Sequence, residues 1–185
     1  MGNVRIIIRA VPERQEYIDY LRAELPDAEF CMDEKRNAMH TFLKAKKMAG
    51  DDPAIHMEDD AILTTDFVRK ANDFISQHPD EVIQFFSRRN KDLTVGTRRE
   101  NGGNFSCNVC YYLPAFMSKR ILAYFPVWDN KWPASMPYDT MMADFFRRQG
   151  ISYIIHVPSL VNHREGLSQI NSRRNSRRHS QSFLP

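Results

Sequence analysis

Three consecutive carboxylates, Glu58-Asp59-Asp60, stand directly after the apolar run Pro53-Ala-Ile-His-Met57. A second run, Ser152-Tyr-Ile-Ile-His-Val157, leads through Pro158-Ser-Leu-Val-Asn to His163. Adjacent carboxylates repel one another, and a divalent cation removes that cost. Oxygen donors suit Mg²⁺ or Mn²⁺, and an imidazole can add a nitrogen. The competing readings are a solvated acidic turn and a histidine satisfied by its neighbours. A third group is cationic: Arg173, Arg174, Arg177 and Arg178, whose guanidinium forks match phosphate oxygens. Carboxylates, histidine and arginines together describe a site for a nucleoside diphosphate. Without a ligand the arginines read as a disordered tail.

These residues are useful only if the fold brings them together, so the elements that carry them matter next. Val4–Arg9 is a β-branched run of the kind that forms a strand covered on both faces. Residues 13–25 follow at helical spacing, and Ala28–Met32 reads as a second strand ending at Asp33. Residues 36–49 place Met39, Phe42, Leu43 and Met48 on one apolar stripe, with Gly50 as a stop. The run before Glu58 is the third strand. Thr64 or Thr65 then caps a helix whose Phe67, Ala71, Phe74 and Ile75 share a face.

Glu81–Phe86 and Asn108–Leu113 are further strands, separated by a polar, basic, glycine-broken stretch (88–104) that reads as a mobile loop. Pro114 opens a helix. An aromatic loop over 126–137, with Trp128 and Trp132, precedes a helix from Asp139 to Arg148, and Ser152–Val157 is the last strand. Strands alternating with helices at this spacing predict an α/β sandwich with a mostly parallel sheet. In such sheets ligands bind beyond the carboxyl ends of the strands, where both the acidic trio and His163 fall.

Composition narrows the classes. With 185 residues, 42% hydrophobic and 26% charged, the chain is long enough for one compact core and is neither collagen-like nor disordered as a whole. No apolar run approaches the ~18–20 residues of a membrane helix, so a cytoplasmic protein is expected. The net charge is +3, and the four arginines of residues 171–185, with no acid among them, leave residues 1–170 at −1. The body is nearly neutral, and only the tail is electrostatically inviting to nucleic acid. Division into a domain over 1–170 and a basic tail over 171–185 follows. Cys31, Cys107 and Cys110 supply no disulfide framework, and Cys107-x-x-Cys110 lacks the second pair of a zinc ribbon.

Ala54-Ile-His-Met-Glu-Asp-Asp-Ala-Ile-Leu63, followed by Asp66-Phe67, resembles the metal-binding segment of GT-A-fold glycosyltransferases. Glu58-x-Asp60 stands at that family's D-x-D position, with Glu for the first Asp. Pro158-Ser-Leu-Val-x-His163 resembles its C-terminal motif, whose histidine completes the metal site. The resemblance implies a Rossmann-like three-layer fold and transfer of a sugar from a nucleotide-diphosphate sugar, UDP-sugar favoured, with Mn²⁺ or Mg²⁺. Asp60 and His163 would be metal ligands, with Glu58 as a further ligand, and Glu58 or Asp59 would face the ribose or sugar. Arg9, Ala10, Val11 and Arg14 at the end of the first strand would hold the nucleotide, with Asp33 near the base and Arg36 and Asn37 at the next helix start. The tail arginines would fold over the phosphates as a lid. Asp139 would be the catalytic base, unless it is simply a helix cap.

The chain is short for that family, so its acceptor site must come from the 88–104 and 126–137 loops. Arg88, Arg89, Lys91, Arg98 and Arg99 suit an anionic acceptor, DNA or a glycan, and by analogy some phages encode compact transferases that modify DNA bases. Two other classes compete. One is a non-catalytic nucleic-acid-binding protein working through the basic loop and tail. The other is a metal-dependent nuclease or phosphohydrolase, which needs more converging carboxylates.

Overall fold

The computed structural model describes residues 4–93, 96–129, 138–165 and 179–185. In chain order the first half holds β1 (Arg5–Ala10), α1 (Gln15–Glu24), β2 (Glu29–Met32), α2 (Ala38–Ala49), β3 (Ala54–Glu58), β4 (Ala61–Leu63) and α3 (Phe67–Gln77). The second half holds β5 (Val82–Gln84), β6 (Gly96–Asn101), β7 (Cys110–Leu113), α4 (Met117–Tyr124), α5 (Tyr138–Arg148), β8 (Ser152–Val157) and β9 (Val161–His163).

Seven strands form one sheet in the order β2-β1-β3-β7-β5-β8-β6. The pairs β1–β2, β1–β3 and β5–β8 are parallel, while β7 and β6 run against their neighbours. The sheet is therefore mostly parallel in strand direction. The carboxyl ends of β1, β2, β3, β5 and β8 share one edge.

Side chains alternate across the strands, and the two sets meet different helices. Ile6, Ile8, Ile55, Met57, Ile83 and Tyr112 pack with Leu21 of α1 and with Phe67, Ala71 and Ile75 of α3. On the other face, Tyr111, Leu113 and Ile155 pack with Phe42 of α2, Ile121 of α4, and Met141, Met142 and Phe146 of α5. This is a three-layer α/β sandwich. Covering both faces is why β1 reads as an unbroken isoleucine run rather than an alternation. Among the described residues no helix is long and apolar enough to cross a membrane.

Three expectations are corrected. The stretch 88–104 is not simply a loop: it holds edge strand β6, antiparallel to β8 from Gly96↔Val157 to Asn101↔Ser152. Its sequence looks unlike a strand because charge pairs, not apolar burial, hold it. Arg98 bonds Asp92 (2.6 Å) and Glu100 (2.7 Å), and Arg99 bonds Glu81. The helix α3 is capped by neither Thr64 nor Thr65. Its N-cap is Asp66, in the left-handed region at φ 58°, while the Thr64 hydroxyl donates to the Leu184 carbonyl at 2.7 Å. Pro114 does not open the next helix, since α4 begins at Met117 after the left-handed Phe116 (φ 64°). Ser180 is buried, and residues 179–185 lie against the body. The rest of the basic segment lies outside the described residues.

Gly102, directly after β6, is where the edge strand meets α5. A Cβ there would stand 2.2 Å from the Ile151 carbonyl oxygen and 2.4 Å from the Phe146 Cβ. Gly102→Ala must push backbone against the core, and we expect a loss of about 1–3 kcal/mol or more. A urea-unfolding midpoint equal to wild type would contradict this.

Candidate metal centre

The acidic trio occupies the turn between β3 and β4, and each carboxylate takes a different direction. Glu58 ends β3, its N–H bonded to the Val109 carbonyl at 2.8 Å. Asp59 turns toward β1, where its Oδ2 accepts the Val11 N–H at 2.9 Å and its Oδ1 pairs with Arg14. Asp60 is buried, and its Oδ2 receives both Arg14 Nη1 (2.9 Å) and His163 Nε2 (3.2 Å).

A two-stranded ribbon brings His163 there. β4 and β9 pair antiparallel with Ala61 opposite His163, and the Arg164 N–H donates to the Asp60 carbonyl at 2.8 Å. Alternation along β9 sends His163 toward the carboxylates. Its Nδ1 lies 2.6 Å from the Arg164 carbonyl, which leaves Nε2 aimed at Asp60. One ligand atom each from Glu58, Asp60 and His163 lie within 4.8 Å of one another.

Charge balance here differs from what the bare sequence suggests. Arg9 is buried at 7% exposure, with Nη2 3.3 Å from Glu58 Oε1 and 3.2 Å from the Asn108 carbonyl. Its guanidinium lies 4.3 Å from the Tyr138 ring centroid, and the Tyr138 hydroxyl donates to the same Glu58 oxygen. Arg9, Arg14 and His163 therefore answer the three carboxylates within the protein. Repulsion inside the trio alone does not demand a metal.

The titration behaviour follows. Burial pushes the Glu58 carboxyl up to about 7, against the pull of Arg9 and with help from Asp60 and Asp139. Burial also raises Asp59, although Arg14 opposes it. Asp60 is buried too, yet its bonds to His163 and Arg14 outweigh that and hold it below the usual range. Burial works against the His163 imidazolium, but Asp60 more than compensates and raises it.

A cation nevertheless fits the donor set. Two carboxylates and an imidazole suit Mn²⁺ or Mg²⁺. Asp60 Oδ1 is a buried acceptor with no hydrogen-bond partner, a state proteins seldom tolerate unless something else satisfies it. A cavity of about 590 Å³ beside α3, lined by Leu63, Thr64, Phe67 and Arg69 among others, touches none of the three ligands.

The other anticipated residues are placed as follows. Ala10 pairs opposite Met32, and its carbonyl accepts the Asp33 N–H at 2.8 Å, so Asp33 sits beside the end of β1. Asp33 Oδ1 accepts the Asn37 N–H, and Asn37 in turn caps α2 by accepting from the His40 N–H. Arg36 is exposed and paired with Glu13. Asp139 lies in the first turn of α5, near enough to Glu58 to raise its pKa. Arg173, Arg174, Arg177, Arg178 and Trp132 lie outside the described residues.

Arg89, Lys91, Arg98 and Arg99 are occupied within the protein, by Asn104 and Tyr153, by Glu100, by Asp92 and Glu100, and by Glu81. Trp128 is buried in the core at 9% exposure. Tyr138 and Asn108, which hold Arg9 and Glu58, were not anticipated. The one local signal was Tyr138 standing next to Asp139 at a helix start.

No protein-family model matches the chain, and no curated protein matches it significantly. Among solved structures, it is similar to a protein assigned as a glucose-1-phosphate thymidylyltransferase from Bacillus anthracis, determined in complex with a sucrose. That match has a TM-score of 0.49 and 11% identity over 85% of this chain and 69% of that one. A second is A197 from STIV, with a TM-score of 0.47 and 14% identity over 90% and 87% of the two chains.

Proposed function

We propose that the chain is a metal-dependent glycosyltransferase whose donor is a nucleotide-diphosphate sugar. The observation that carries this reading is the convergence of Glu58, Asp60 and His163 at strand carboxyl ends, with a buried Asp60 oxygen lacking a partner. Those three residues would hold Mn²⁺ or Mg²⁺, which supplies positive charge for the departing diphosphate.

The chain's own groups have distinct tasks in this reading. Arg9 and Tyr138 fix one oxygen of Glu58 and so orient its carboxylate. Asp59 anchors Arg14 and the Val11 backbone, setting the loop after β1 where the nucleotide would lie. Arg14 stands beside Asp60, where its charge serves the phosphates. Asp33, beside Ala10, would meet the base or ribose. Asn37 orders the helix start next to it, and Arg36 is the exposed cation there. Asp139 is the candidate to take the acceptor hydroxyl's proton. The acceptor is a glycan or a DNA base.

The test is calorimetric titration with a panel of nucleotide-diphosphate sugars, with Mn²⁺ and again with EDTA. We expect one member to bind with the metal and to lose binding in EDTA. A folded protein that binds none of them under either condition would overturn the reading.

A further inference from the structure

His163 belongs to a short ribbon whose Ala61, Leu63 and Val161 pack in the core and whose Val161 N–H reaches the Phe85 carbonyl, while Asn162 and His163 lie beyond that anchor. β4 and β9 have three residues each, and an isolated two-stranded pair is marginal in water. Segment 179–185 supplies further attachments. Ser180 N–H donates to Asn162 Oδ1 at 3.0 Å, and the same oxygen accepts the His163 N–H at 3.0 Å. Ser180 Oγ donates to Ser159 Oγ at 2.8 Å, and Ser182 Oγ accepts the Ser159 N–H at 3.2 Å. The Leu184 carbonyl takes the Thr64 hydroxyl, just past β4. Ser159 and Ser180 are both buried, so the bond between their hydroxyls is shielded from competing water.

We propose that segment 179–185, acting through the Asn162 side chain, positions His163 as a member of the cluster. Asn162 and Ser180 are thus positioning residues rather than ligands. The proposal rests on reading the cluster as a cation site, but its geometry can be tested apart from that reading. Asn162 Oδ1 ties the histidine's own backbone to the segment, so loss of either partner lets the Asn162–His163 end of β9 shift while Val161 stays in the core and the seven-stranded sheet stays intact.

The experiment compares Asn162→Leu, Ser180→Pro (which removes the donor N–H and the hydroxyl) and Asn162→Asp (which keeps the acceptor). Two quantities are read in the full chain, alongside Tm. One is Mn²⁺ affinity by calorimetry. The other is the rate of diethylpyrocarbonate modification at His163, resolved by mass spectrometry. His163 is 5% exposed in the intact protein.

We expect Mn²⁺ affinity to fall about tenfold in Asn162→Leu and Ser180→Pro, as for other groups that orient metal ligands. His163 modification should accelerate in both, and Asn162→Asp should stay near wild type in both readouts. Unchanged His163 modification in Asn162→Leu and Ser180→Pro overturns the proposal, even if Tm falls. If wild type binds no Mn²⁺, the cation reading fails, and the modification rate still decides the positioning role.

Discussion

Asp60→Ala should lower Mn²⁺ affinity on the order of a hundredfold or more, because partners of metal ligands alone typically contribute about 10- to 100-fold and Asp60 is a proposed ligand itself. The variant also removes the acceptor shared by Arg14 and His163. Arg14 keeps Asp59, so the positive charge left without its partner is chiefly that of His163. Its pKa should fall toward that of a buried imidazole, measurable by NMR titration. Under the proposed function, binding of the nucleotide-sugar donor should disappear together with the metal. Asp59 offers the contrast within the same triplet. Both its oxygens are committed to Val11 and Arg14, so Asp59→Ala should loosen the loop after β1 while leaving Mn²⁺ binding far less affected. Equal metal affinity in wild type and Asp60→Ala, by calorimetry or manganese paramagnetic resonance, would remove Asp60 from the proposed ligands.

The second large effect belongs to stability. Phe105→Ala should destabilise the protein by about 3–5 kcal/mol, lowering Tm by about 10 °C for a chain of this size. Phe105 is 1% exposed and meets three rings edge-on: Tyr111 at 5.6 Å, Phe146 at 5.0 Å and Tyr153 at 4.9 Å. It joins β7, α5 and β8 on the face shared with α2, and no neighbour can collapse into its place without breaking those contacts. A Tm within a few degrees of wild type would show that this face repacks.

The legible parts of the fold were those where burial writes a pattern. β1 and β8 are apolar runs because they are covered on both faces, and the predicted 152–157 strand has the observed bounds. β6 was illegible because an edge strand needs no apolar alternation and is held by Arg98, Arg99 and their acids. β4 and β9 are too short for any period to register. Asp66 caps α3 through a left-handed backbone, which Asp tolerates, with no side-chain cap bond, and the adjacent Thr64 and Thr65 offer the same cap signature.

The site divides in the same way. Glu58, Asp60 and His163 could be paired because each follows a strand that ends at the same edge. Arg9 could be named as lying there, but not as the buried partner of Glu58. Its companions Asn108 and Tyr138 come from segments that only the folded sheet brings together.

The β4–β9 ribbon also fixes when the centre comes into being. Asp60 and His163 meet across most of the chain's length, and Arg164 must reach the Asp60 carbonyl to close the ribbon. Contacts between such distant segments carry a loop-closure penalty and tend to form late. A nascent or partly folded chain that has built β1, β2 and β3 can pair Arg14 with Asp59 and Asp60, but Glu58 still lacks Tyr138 and Asp60 still lacks the imidazole. Under the proposed reading, divalent binding would report completed folding, and a stalled chain lacking β9 would be silent to the ion however native its sheet looks.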